Sequence, residues 1–288
     1  MIIVTGASGK LGGAVVKQLL KRVPAGQIGV SVRDPHQAQK LQELGVRVRQ
    51  GDFDDVESLY HAFEGASQVL IVSSGTLGEA GIRQHQTAID TAKKAGASRV
   101  LYTSHMGSSP TSHFAPMIHH DATEKLLQAS GMAFTSLRNG FYIASALMLI
   151  GGALQTGELI APEDGPVAWT AHSDLAEATA AIICEQKFDG LTPNLTASEA
   201  IDMEGIATIA SEVLGRTIRR IVVSDEEFRD HMLSQGVPEA SINMRLGVFR
   251  ASRQGDFTQV DPALANLIGR PPLSFKEVLM ESISQQQV

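Results

Sequence analysis

The chain has 288 residues, of which 43% are hydrophobic and 19% are charged, and this composition is typical of a folded globular protein rather than a disordered one. A net charge of -7 gives no electrostatic reason to expect binding to nucleic acid or to anionic membranes. The single cysteine, Cys184, excludes an intrachain disulfide, and a strand pattern that begins at Ile2 leaves no room for a signal peptide. We therefore expect a cytoplasmic protein that binds neither nucleic acid nor a membrane.

Apolar runs of strand length alternate with segments of helical period through the first half of the chain. This alternation is typical of βαβ units in a parallel sheet. The predicted strands cover residues 2–5, 27–32, 46–50, 68–73, 99–104 and 133–137. The predicted helices cover residues 11–22, 57–64, 79–96 and 118–130, with a further helix that begins near Pro35.

Past residue 140 the alternation breaks, because glycine and proline clusters such as residues 161–166 separate shorter elements. A helix over residues 174–185 and a strand over residues 191–197 are predicted to return to the sheet, and residues 202–288 are predicted to form helices joined by short connections. The expected fold class is α/β, a Rossmann-type doubly wound parallel sheet with a smaller, mainly helical C-terminal lobe. The predicted Rossmann domain comprises residues 1–140 with 172–198, and the predicted substrate-binding lobe comprises residues 141–171 with 199–288.

A glycine-rich turn lies between the first predicted strand and the first predicted helix. Gly6 permits a tight turn off the strand, Gly9 lets the backbone approach a pyrophosphate, and Gly12 lets the helix pack close to the sheet. A phosphate would sit on the free N–H groups at the start of the helix. Strand, turn and helix occur in the order that this motif requires, so we expect a dinucleotide site. Its predicted members are Gly6, Ala7, Ser8, Gly9, Lys10, Leu11 and Gly12.

The residues after the second strand bear on which dinucleotide binds, because the adenine ribose lies there. An arginine at this place can pair with the extra phosphate of NADP, whereas a carboxylate would hydrogen-bond the ribose hydroxyls of NAD. The chain has Arg33 followed directly by Asp34. We favour NADP(H) and leave NAD(H) open, since the alternative is a solvated Arg33 that caps the next helix.

Two further strand ends are predicted to contact the cofactor. Asp52 and Phe53 follow the third strand, where they could hydrogen-bond and pack against an adenosine, although Asp52 as a cap of the next helix is the alternative. The fourth strand ends in small residues that would let the backbone pass close to the cofactor, or would simply form a loop. These residues are Ser73, Ser74 and Gly75.

Several motifs together resemble those of the NmrA-like branch of the atypical short-chain dehydrogenases, in particular its bacterial NADPH-dependent quinone reductases and triphenylmethane dye reductases. The resemblance spans nearly the whole chain. It implies a two-lobed molecule with the cofactor on the Rossmann lobe and a small aromatic substrate in the cleft between the lobes. The same branch also holds regulators that bind the dinucleotide without consuming it. The motifs are residues 5–12, 51–53, 120–125, 137–140 and 267–275.

The chain lacks the catalytic pair of ordinary short-chain dehydrogenases, a tyrosine with a lysine four residues later that lowers the pKa of the phenol. Its three tyrosines, Tyr60, Tyr102 and Tyr142, are followed four residues later by Glu64, Met106 and Ala146. In the corresponding helix, His120 and Glu124 share one face. Histidine is readily poised to move a proton near neutral pH. His120 is therefore a candidate catalytic residue, with a hydrogen bond to Glu124 on the helix face as the alternative.

The absence of the tyrosine–lysine pair limits which hydride acceptors the protein can reduce. Reduction of an ordinary ketone forms a basic alkoxide that needs a donor at its oxygen, whereas quinones and cationic dyes accept hydride more readily. The predicted function is an NAD(P)H-dependent reductase that acts on a flat, electron-poor aromatic such as a quinone. Two alternatives stay open, a redox sensor that binds the dinucleotide without turnover and an enzyme that modifies a polycyclic aromatic in a biosynthetic pathway.

The ends of the fifth and sixth strands supply the remaining candidates. Asn139, Gly140 and Phe141 are predicted to contact the nicotinamide end of the cofactor, and Tyr142 is a second candidate for proton transfer, with core packing as the alternative for the two aromatic residues. Arg138 is predicted to be a structural anchor. Thr103 and Ser104 end the fifth strand and are predicted to contact the cofactor. They lie at the place where the parent family has a catalytic serine.

Other histidines and one tryptophan are further candidates for function. His113, His119 and His120 match no closed zinc pattern, so we expect no metal. Trp169 and His172 are predicted to face the cleft. The sequence is consistent with either a monomer or a homodimer.

Overall fold

A computed structural model describes residues 1–286; residues 287 and 288, at the end of the predicted smaller lobe, lie outside the described residues. The central feature is a seven-stranded sheet in which every pairing is parallel. Its strands are β1 (Ile2–Thr5), β2 (Ile28–Val32), β3 (Arg47–Gln50), β4 (Gln68–Ile71), β5 (Arg99–His105), β6 (Ala133–Asn139) and β10 (Gly190–Leu191). They lie in the order β10, β6, β5, β4, β1, β2, β3.

Helices cover both faces of the sheet, because parallel strands with apolar side chains on both sides need cover on both. One face carries α1 (Lys10–Leu19), α8 (His172–Glu185) and α12 (Ala263–Ile268), whose apolar residues pack with those of β1 and β2. The other face carries α3 (Val56–Phe63), α4 (Gly78–Lys94) and α5 (Ala115–Ala129). The short helices Ala25–Gln27 and Pro35–Ala38 and α2 (Gln39–Glu43) flank β2 and β3.

The predicted strand and helix order of the first half is confirmed, with ends that differ by a few residues. The strand predicted over residues 191–197 is largely wrong, because only Gly190–Leu191 pairs continuously with β6. Pro193 lacks the N–H that a ladder needs, and the chain regains contact with β6 only at Leu195, whose N–H donates to Arg138 O.

The second half forms a separate apolar cluster built from helices and short strands. Trp169, Phe228, Phe249 and Phe257 are at most 2% exposed within it. The strands are β7 (Phe141–Tyr142), β8 (Glu158–Pro162), β9 (Trp169–Thr170) and β11 (Arg219–Val223). The helices are α6 (Ile143–Ile150), α7 (Ala153–Thr156), α9 (Met203–Leu214), α10 (Asp225–Ser234), α11 (Glu239–Arg253) and α13 (Phe275–Gln286).

The prediction of helices alone after residue 202 is wrong at β11. This strand pairs in parallel with β8, from Arg219 beside Glu158 to Val223 beside Pro162. The pairing joins segments about sixty residues apart, so no local pattern identifies it, although its β-branched residues favour a strand. Within residues 1–286, no helix is long and apolar enough to cross a bilayer.

Candidate functional site

The glycine-rich turn between β1 and α1 has a conformation that only glycines allow. Gly6 has φ +61, and its carbonyl accepts a hydrogen bond of 2.9 Å from the N–H of Gly9. A Cβ on Gly12 would lie 2.4 Å from Gly6 O, so the helix can pack this closely only with glycine. Within the described chain no side chain caps the N-terminus of α1, and its first turn carries no acidic residue. Its N–H groups and helix dipole therefore favour an anion at this turn.

A cavity of about 560 Å³ extends from this turn along the carboxyl edge of β1 to β4. Loops from four neighbouring strands line it, as the crossover at the β1 and β4 switch point of a doubly wound sheet requires. The structure thus brings together predicted residues that lie far apart in the chain. The predicted residues on its wall are Gly6, Ser8, Gly9, Arg33, Asp52, Phe53, Ser73, Ser74 and Gly75.

Other predicted members of the turn lie beneath or beside the cavity. Ala7 and Leu11 are each 6% exposed and pack into the sheet cluster, and Gly12 lies against the backbone of Gly6. Lys10 begins α1 and is exposed. These four positions shape the turn or flank it rather than line the cavity.

Arg33 and Asp34 differ in whether their side chains already have hydrogen-bond partners. The carboxylate of Asp34 accepts the N–H of His36 at 3.0 Å and so caps the short helix Pro35–Ala38. Arg33 is exposed and makes no hydrogen bond or ion pair with the residues that the structure describes. Because the carboxylate is already used and the guanidinium is not, this strand end is better suited to a phosphate than to ribose hydroxyls.

Asp52 is not the cap of α3. That role belongs to Asp55, whose carboxylate accepts the N–H groups of Glu57 and Ser58, each at 3.1 Å. Asp52 instead accepts the N–H of Asp54 at 3.0 Å through Oδ1, and the residue lines the cavity. The alternative of Asp52 as the cap of the next helix is therefore wrong.

The loop after β4 is fixed from behind by three successive backbone amides. Val72 N–H donates to Thr5 Oγ1 at 2.9 Å, Ser73 N–H donates to Thr103 Oγ1 at 2.8 Å, and Ser74 N–H donates to His85 Nε2 at 2.8 Å. Thr103, which was predicted to contact the cofactor, is thus engaged with Ser73, to whose hydroxyl it also donates. Sequence reasoning missed Thr5 and His85 because neither belongs to the loop that it holds.

His85 is buried between the loop and α5. Its Nε2 accepts from Ser74, so the ring proton lies on Nδ1, which is 2.8 Å from Thr123 Oγ1. Thr123 in turn donates its hydroxyl to His119 O. Burial lowers the pKa of His85 to about 4, with a further lowering by the charge of His119, so the ring is neutral near pH 7.

His120 contacts Tyr102 and not Glu124. The Tyr102 hydroxyl is 2.8 Å from His120 Nδ1, and Tyr102 itself is fully buried on β5. Burial first, and then the nearby charges of other histidines, lower the pKa of His120 well below its ordinary value, while burial raises the pKa of Tyr102. Sequence reasoning missed this pair because the two residues lie on different elements, Tyr102 on β5 and His120 on α5.

Glu124 instead holds the ends of β5 and β6 together. It is 5% exposed and accepts hydrogen bonds from Ser104 Oγ at 2.7 Å, Ser136 Oγ at 3.0 Å and Arg138 Nη2 at 2.7 Å. The prediction of Arg138 as an anchor is confirmed. The alternative of a His120–Glu124 bond is wrong, and Ser104, predicted to contact the cofactor, is committed to Glu124 and 1% exposed.

Asn139 is the unusual polar residue of this region. It is fully buried at the end of β6, and neither atom of its side-chain amide has a hydrogen-bond partner among the described residues. An unpaired buried amide costs free energy, which makes this group suited to bond a ligand at the strand end. Gly140 follows it in close contact with Thr170, since a Cβ there would lie 2.2 Å from Thr170 Oγ1.

Phe141 belongs to a packed group of aromatic rings. Its ring centroid lies 5.0 Å from that of His105, 4.9 Å from Phe257 and 5.1 Å from Trp169. Phe141 and Trp169 are 4% and 2% exposed, so the core-packing alternative holds for Phe141 and the prediction that Trp169 faces a cleft is wrong. The rings form a wall and offer no free face.

Tyr142 is half-buried and packs against His172, with ring centroids 4.2 Å apart and ring planes inclined by 36°. Burial raises the pKa of Tyr142 and lowers the pKa of His172 to about 4, and the charge of Lys10 lowers the latter further. Lys10 belongs to the glycine-rich turn, so this ring pair lies on the side of the site that adjoins α1. Within residues 1–286, no three acidic, cysteine or histidine side chains are grouped so that they could hold a metal ion.

Comparisons with known proteins agree with this geometry. The profile of the NmrA-like family matches residues 1–268. Quinone oxidoreductase 2 of Escherichia coli (strain K12) is 34% identical over 278 residues, which cover 96% of each chain. The solved structure of NADPH-dependent quinone oxidoreductase from E. coli, complexed with NADPH, superposes with a TM-score of 0.92 at 32% identity and covers 100% of both chains.

A second solved structure is similar. Triphenylmethane reductase of Citrobacter sp., complexed with NADP(H), superposes with a TM-score of 0.91 at 31% identity over 98% of this chain and 100% of that one. The predicted resemblance, the predicted Rossmann-type fold and the expectation of an oxidoreductase that uses NADP(H) are confirmed.

Proposed function

The chain belongs to the NmrA-like family, and on that premise we propose that it passes a hydride from NADPH to a flat, electron-poor aromatic acceptor such as a quinone. The observation that carries the proposal is one cavity whose wall joins the glycine-rich turn to an unpaired Arg33 and to Asp52. The turn would bind the pyrophosphate, Arg33 the 2′-phosphate, and Asp52 the ribose or the adenine. These groups follow one another in the same order in NADPH.

Each part of the cavity would hold one part of the cofactor. The N–H groups of Gly6–Gly9 and of the first turn of α1 would bind the pyrophosphate, and Arg33 would pair with the 2′-phosphate. Asp52 and Phe53 would bond and pack against the adenosine, and the buried amide of Asn139 would bond the nicotinamide end. NADPH, when bound, supplies the hydride.

The protein's own part in the chemistry is to place a proton. If the Tyr102 hydroxyl donates to His120 Nδ1, the ring proton of His120 lies on Nε2, where it can hydrogen-bond an acceptor oxygen. A quinone that accepts hydride spreads the negative charge over its ring, so a neutral imidazole N–H is a sufficient partner. A ketone would need the stronger acid that a tyrosine with a neighbouring lysine provides, and this chain has no such pair.

We place the acceptor in the cleft between the two predicted lobes, residues 1–140 with 172–198 and residues 141–171 with 199–288. Tyr142 and His172 would form an aromatic side of this cleft, supported from behind by the packed rings around Phe141. A flat aromatic fits between such rings and the nicotinamide, since stacked aromatic surfaces attract one another.

Turnover is tested by mixing the protein with NADPH and a panel of quinones, one triphenylmethane dye and one simple ketone, under anaerobic conditions. Absorbance of the reduced cofactor should fall with quinones or the dye and stay constant with the ketone. Binding of NADPH without consumption across the panel would contradict this proposal and favour the redox sensor.

The proton donor is tested with His120→Ala, Tyr102→Phe and Tyr142→Phe. We expect His120→Ala to lower kcat about 100-fold, because it removes the N–H that would hydrogen-bond the oxygen on which negative charge develops. Tyr102→Phe should lower kcat less, because it changes only the orientation of the ring. An unchanged kcat in His120→Ala together with a loss in Tyr142→Phe would reassign the proton to Tyr142.

A further inference from the structure

Gln84 of α4 connects two loops that line the same cavity. Its Nε2 donates to Asp54 Oδ2 at 2.8 Å, and its Oε1 accepts from the hydroxyl of Ser74 at 2.6 Å. Asp54 belongs to the loop after β3 and Ser74 to the loop after β4, and all three residues lie on the cavity wall. One side-chain amide thus joins two loops through both of its ends.

The two ends of this connection differ in how firmly they are held. Ser74 is fixed, because its N–H donates to His85 and its hydroxyl also accepts the N–H of Thr76 at 3.0 Å. Asp54 is exposed, and the bond from Gln84 is the one hydrogen bond of its carboxylate within the described residues. Through Gln84, the fixed loop after β4 therefore holds the loop after β3 in place. Without Gln84, the loop after β3 is held mainly by hydrogen bonds within its own turn.

The chemistry of the connection is specific to an amide. Its carbonyl accepts from a hydroxyl while its NH₂ donates to a carboxylate, and no other side chain of this length does both. The bond to Asp54 is charge-assisted, so it is stronger than one between neutral groups. Gln84 is half-buried, which limits competition from water.

We propose that Gln84 is a positioning residue that holds the loops after β3 and β4 around the adenosine half of the dinucleotide, and that opening of the Asp54–Gln84–Ser74 connection governs release of the cofactor. The loop after β3 carries Asp52 and Phe53, which the proposed function assigns to the adenosine. A bound adenosine between these loops leaves only after one of them moves, and the connection opposes that movement.

The inference rests on the proposed cofactor site, and the experiment separates the two. NADPH release is measured by stopped-flow fluorescence, with the bound reduced cofactor displaced by excess NADP+, in the full-length protein. We expect Gln84→Ala to raise the release rate about 10-fold, the size expected for loss of a hydrogen bond to a charged group. Gln84→Glu should raise it further, because two carboxylates then face each other across the former bond.

A double variant tests the roles of the two atoms. In Gln84→Glu with Asp54→Asn, the carboxylate accepts from both Ser74 and the new amide, so donor and acceptor are exchanged and the connection is restored. The release rate should return to within about twofold of the wild-type rate. Arg83→Ala is the matched control and should leave the rate unchanged, because Arg83 is exposed on the same helix and its side chain pairs, within residues 1–286, only with Glu79.

The outcomes distinguish failure of the proposed function from failure of this inference. Wild-type protein that does not bind NADPH would overturn both the proposed function and this inference. Binding with the same release rate in wild type, Gln84→Ala and Gln84→Glu would overturn the inference alone. If Gln84→Ala does not fold, Asp54→Ala breaks the same connection from an exposed position, and an unchanged release rate in that variant would overturn the inference.

Discussion

The two ends of the site differ in what forms them. The nucleotide end, defined by the Gly6–Gly9 turn, Arg33 and Asp52, combines the backbone of a glycine-rich turn with polar side chains that line the cavity. The other end, the histidine cluster, consists of neighbouring rings, among which Tyr102 contacts His85 and His120, and His120 stacks on His105. Its members are His85, His105, His119 and His120, together with Tyr102.

This difference separates binding from stability. The nucleotide end leaves its hydrogen-bonding groups toward the cavity, so changes there should act mainly on cofactor affinity. The histidine cluster uses its groups internally, so changes there should act on the free energy of unfolding as well as on turnover. Cofactor affinity and the free energy of unfolding should therefore be measured separately for each variant.

Acid should destabilise the protein through its buried histidines, and this is the largest effect that we expect. Burial lowers the pKa of His105 to about 3, and burial together with nearby charges lowers the pKa of His85 and His172 to about 4. In the unfolded chain each titrates near 6.5, so below that pH the unfolded state binds more protons. Stability is complete above pH 6.5 and is lost as pH falls toward 4, by about 1.4 kcal/mol per pH unit for each histidine.

Urea unfolding between pH 7.5 and 5 measures this slope. His105→Gln keeps an acceptor for the N–H of Gly107 but has no group to titrate, so its slope should be smaller than that of the wild type. The exposed His61 provides the control, and His61→Gln should leave the slope unchanged. Equal slopes in wild type and His105→Gln would show that His105 does not contribute to the loss of stability in acid.

Removal of Glu124 should be the most damaging single substitution near the histidine cluster. Glu124→Ala leaves the guanidinium of Arg138 and the hydroxyls of Ser104 and Ser136 without their shared acceptor. We expect the free energy of unfolding to fall by about 3 to 5 kcal/mol, as for a buried ion pair that loses one partner. Chemical denaturation measures the change.

The matched variant for Glu124 is Glu277→Ala, whose carboxylate caps the start of α13 from an exposed position. It should cost about 1 kcal/mol, the usual loss for a helix cap. A similar loss in both variants would mean that the Glu124 network contributes no more than a surface cap.

A methyl group at Gly12 should act chiefly on the nucleotide end. Its Cβ would meet the backbone of Gly6 at 2.4 Å, so the turn must move and its N–H groups lose their common direction. We expect Gly12→Ala to weaken NADPH binding about 100-fold, which corresponds to the upper range of strain from an inserted methyl group. Fluorescence titration gives the Kd.

Gly26→Ala is the control for Gly12, because a Cβ there would meet nothing within 4 Å. Its Kd for NADPH should equal that of the wild type. If Gly12→Ala binds NADPH normally, the close packing of α1 on the turn is not what holds the phosphate.

Several residues that the sequence singled out lie on one cavity wall, and there is a physical reason for this. The glycines of the turn and the strand ends at Arg33, Asp52 and Ser73 each follow a recognisable strand, and parallel strands bring their carboxyl ends to one edge. The positions of these residues were therefore implied by local patterns and one topological rule. That they contact the cofactor stays a prediction.

The histidine cluster could be predicted only in part. His120 was found because it shares a helix face with Glu124, but its partner Tyr102 lies on β5 and its bond depends on how α5 packs on the sheet. Ser104, Thr103 and Phe141 were expected to contact ligands and are instead bonded or packed internally. Side-chain partners between elements depend on tertiary packing, which periodicity does not encode.

Arg33 should decide between the two dinucleotides, with the smallest effect of this series. Asp34 is used as a helix cap, so Arg33 is the group at this strand end that remains for a 2′-phosphate. We expect Arg33→Ala to weaken NADPH binding about 10-fold and to leave NADH binding unchanged, because only NADPH loses a charge-assisted bond. Lys40→Ala, which removes an exposed positive charge on α2, separates loss of this bond from loss of one unit of overall charge, and its effect on NADPH binding should be within about twofold. Equal losses for NADPH and NADH in Arg33→Ala would mean that Arg33 contacts a part common to both, and the nucleotide end would then bind a dinucleotide without distinguishing the phosphate.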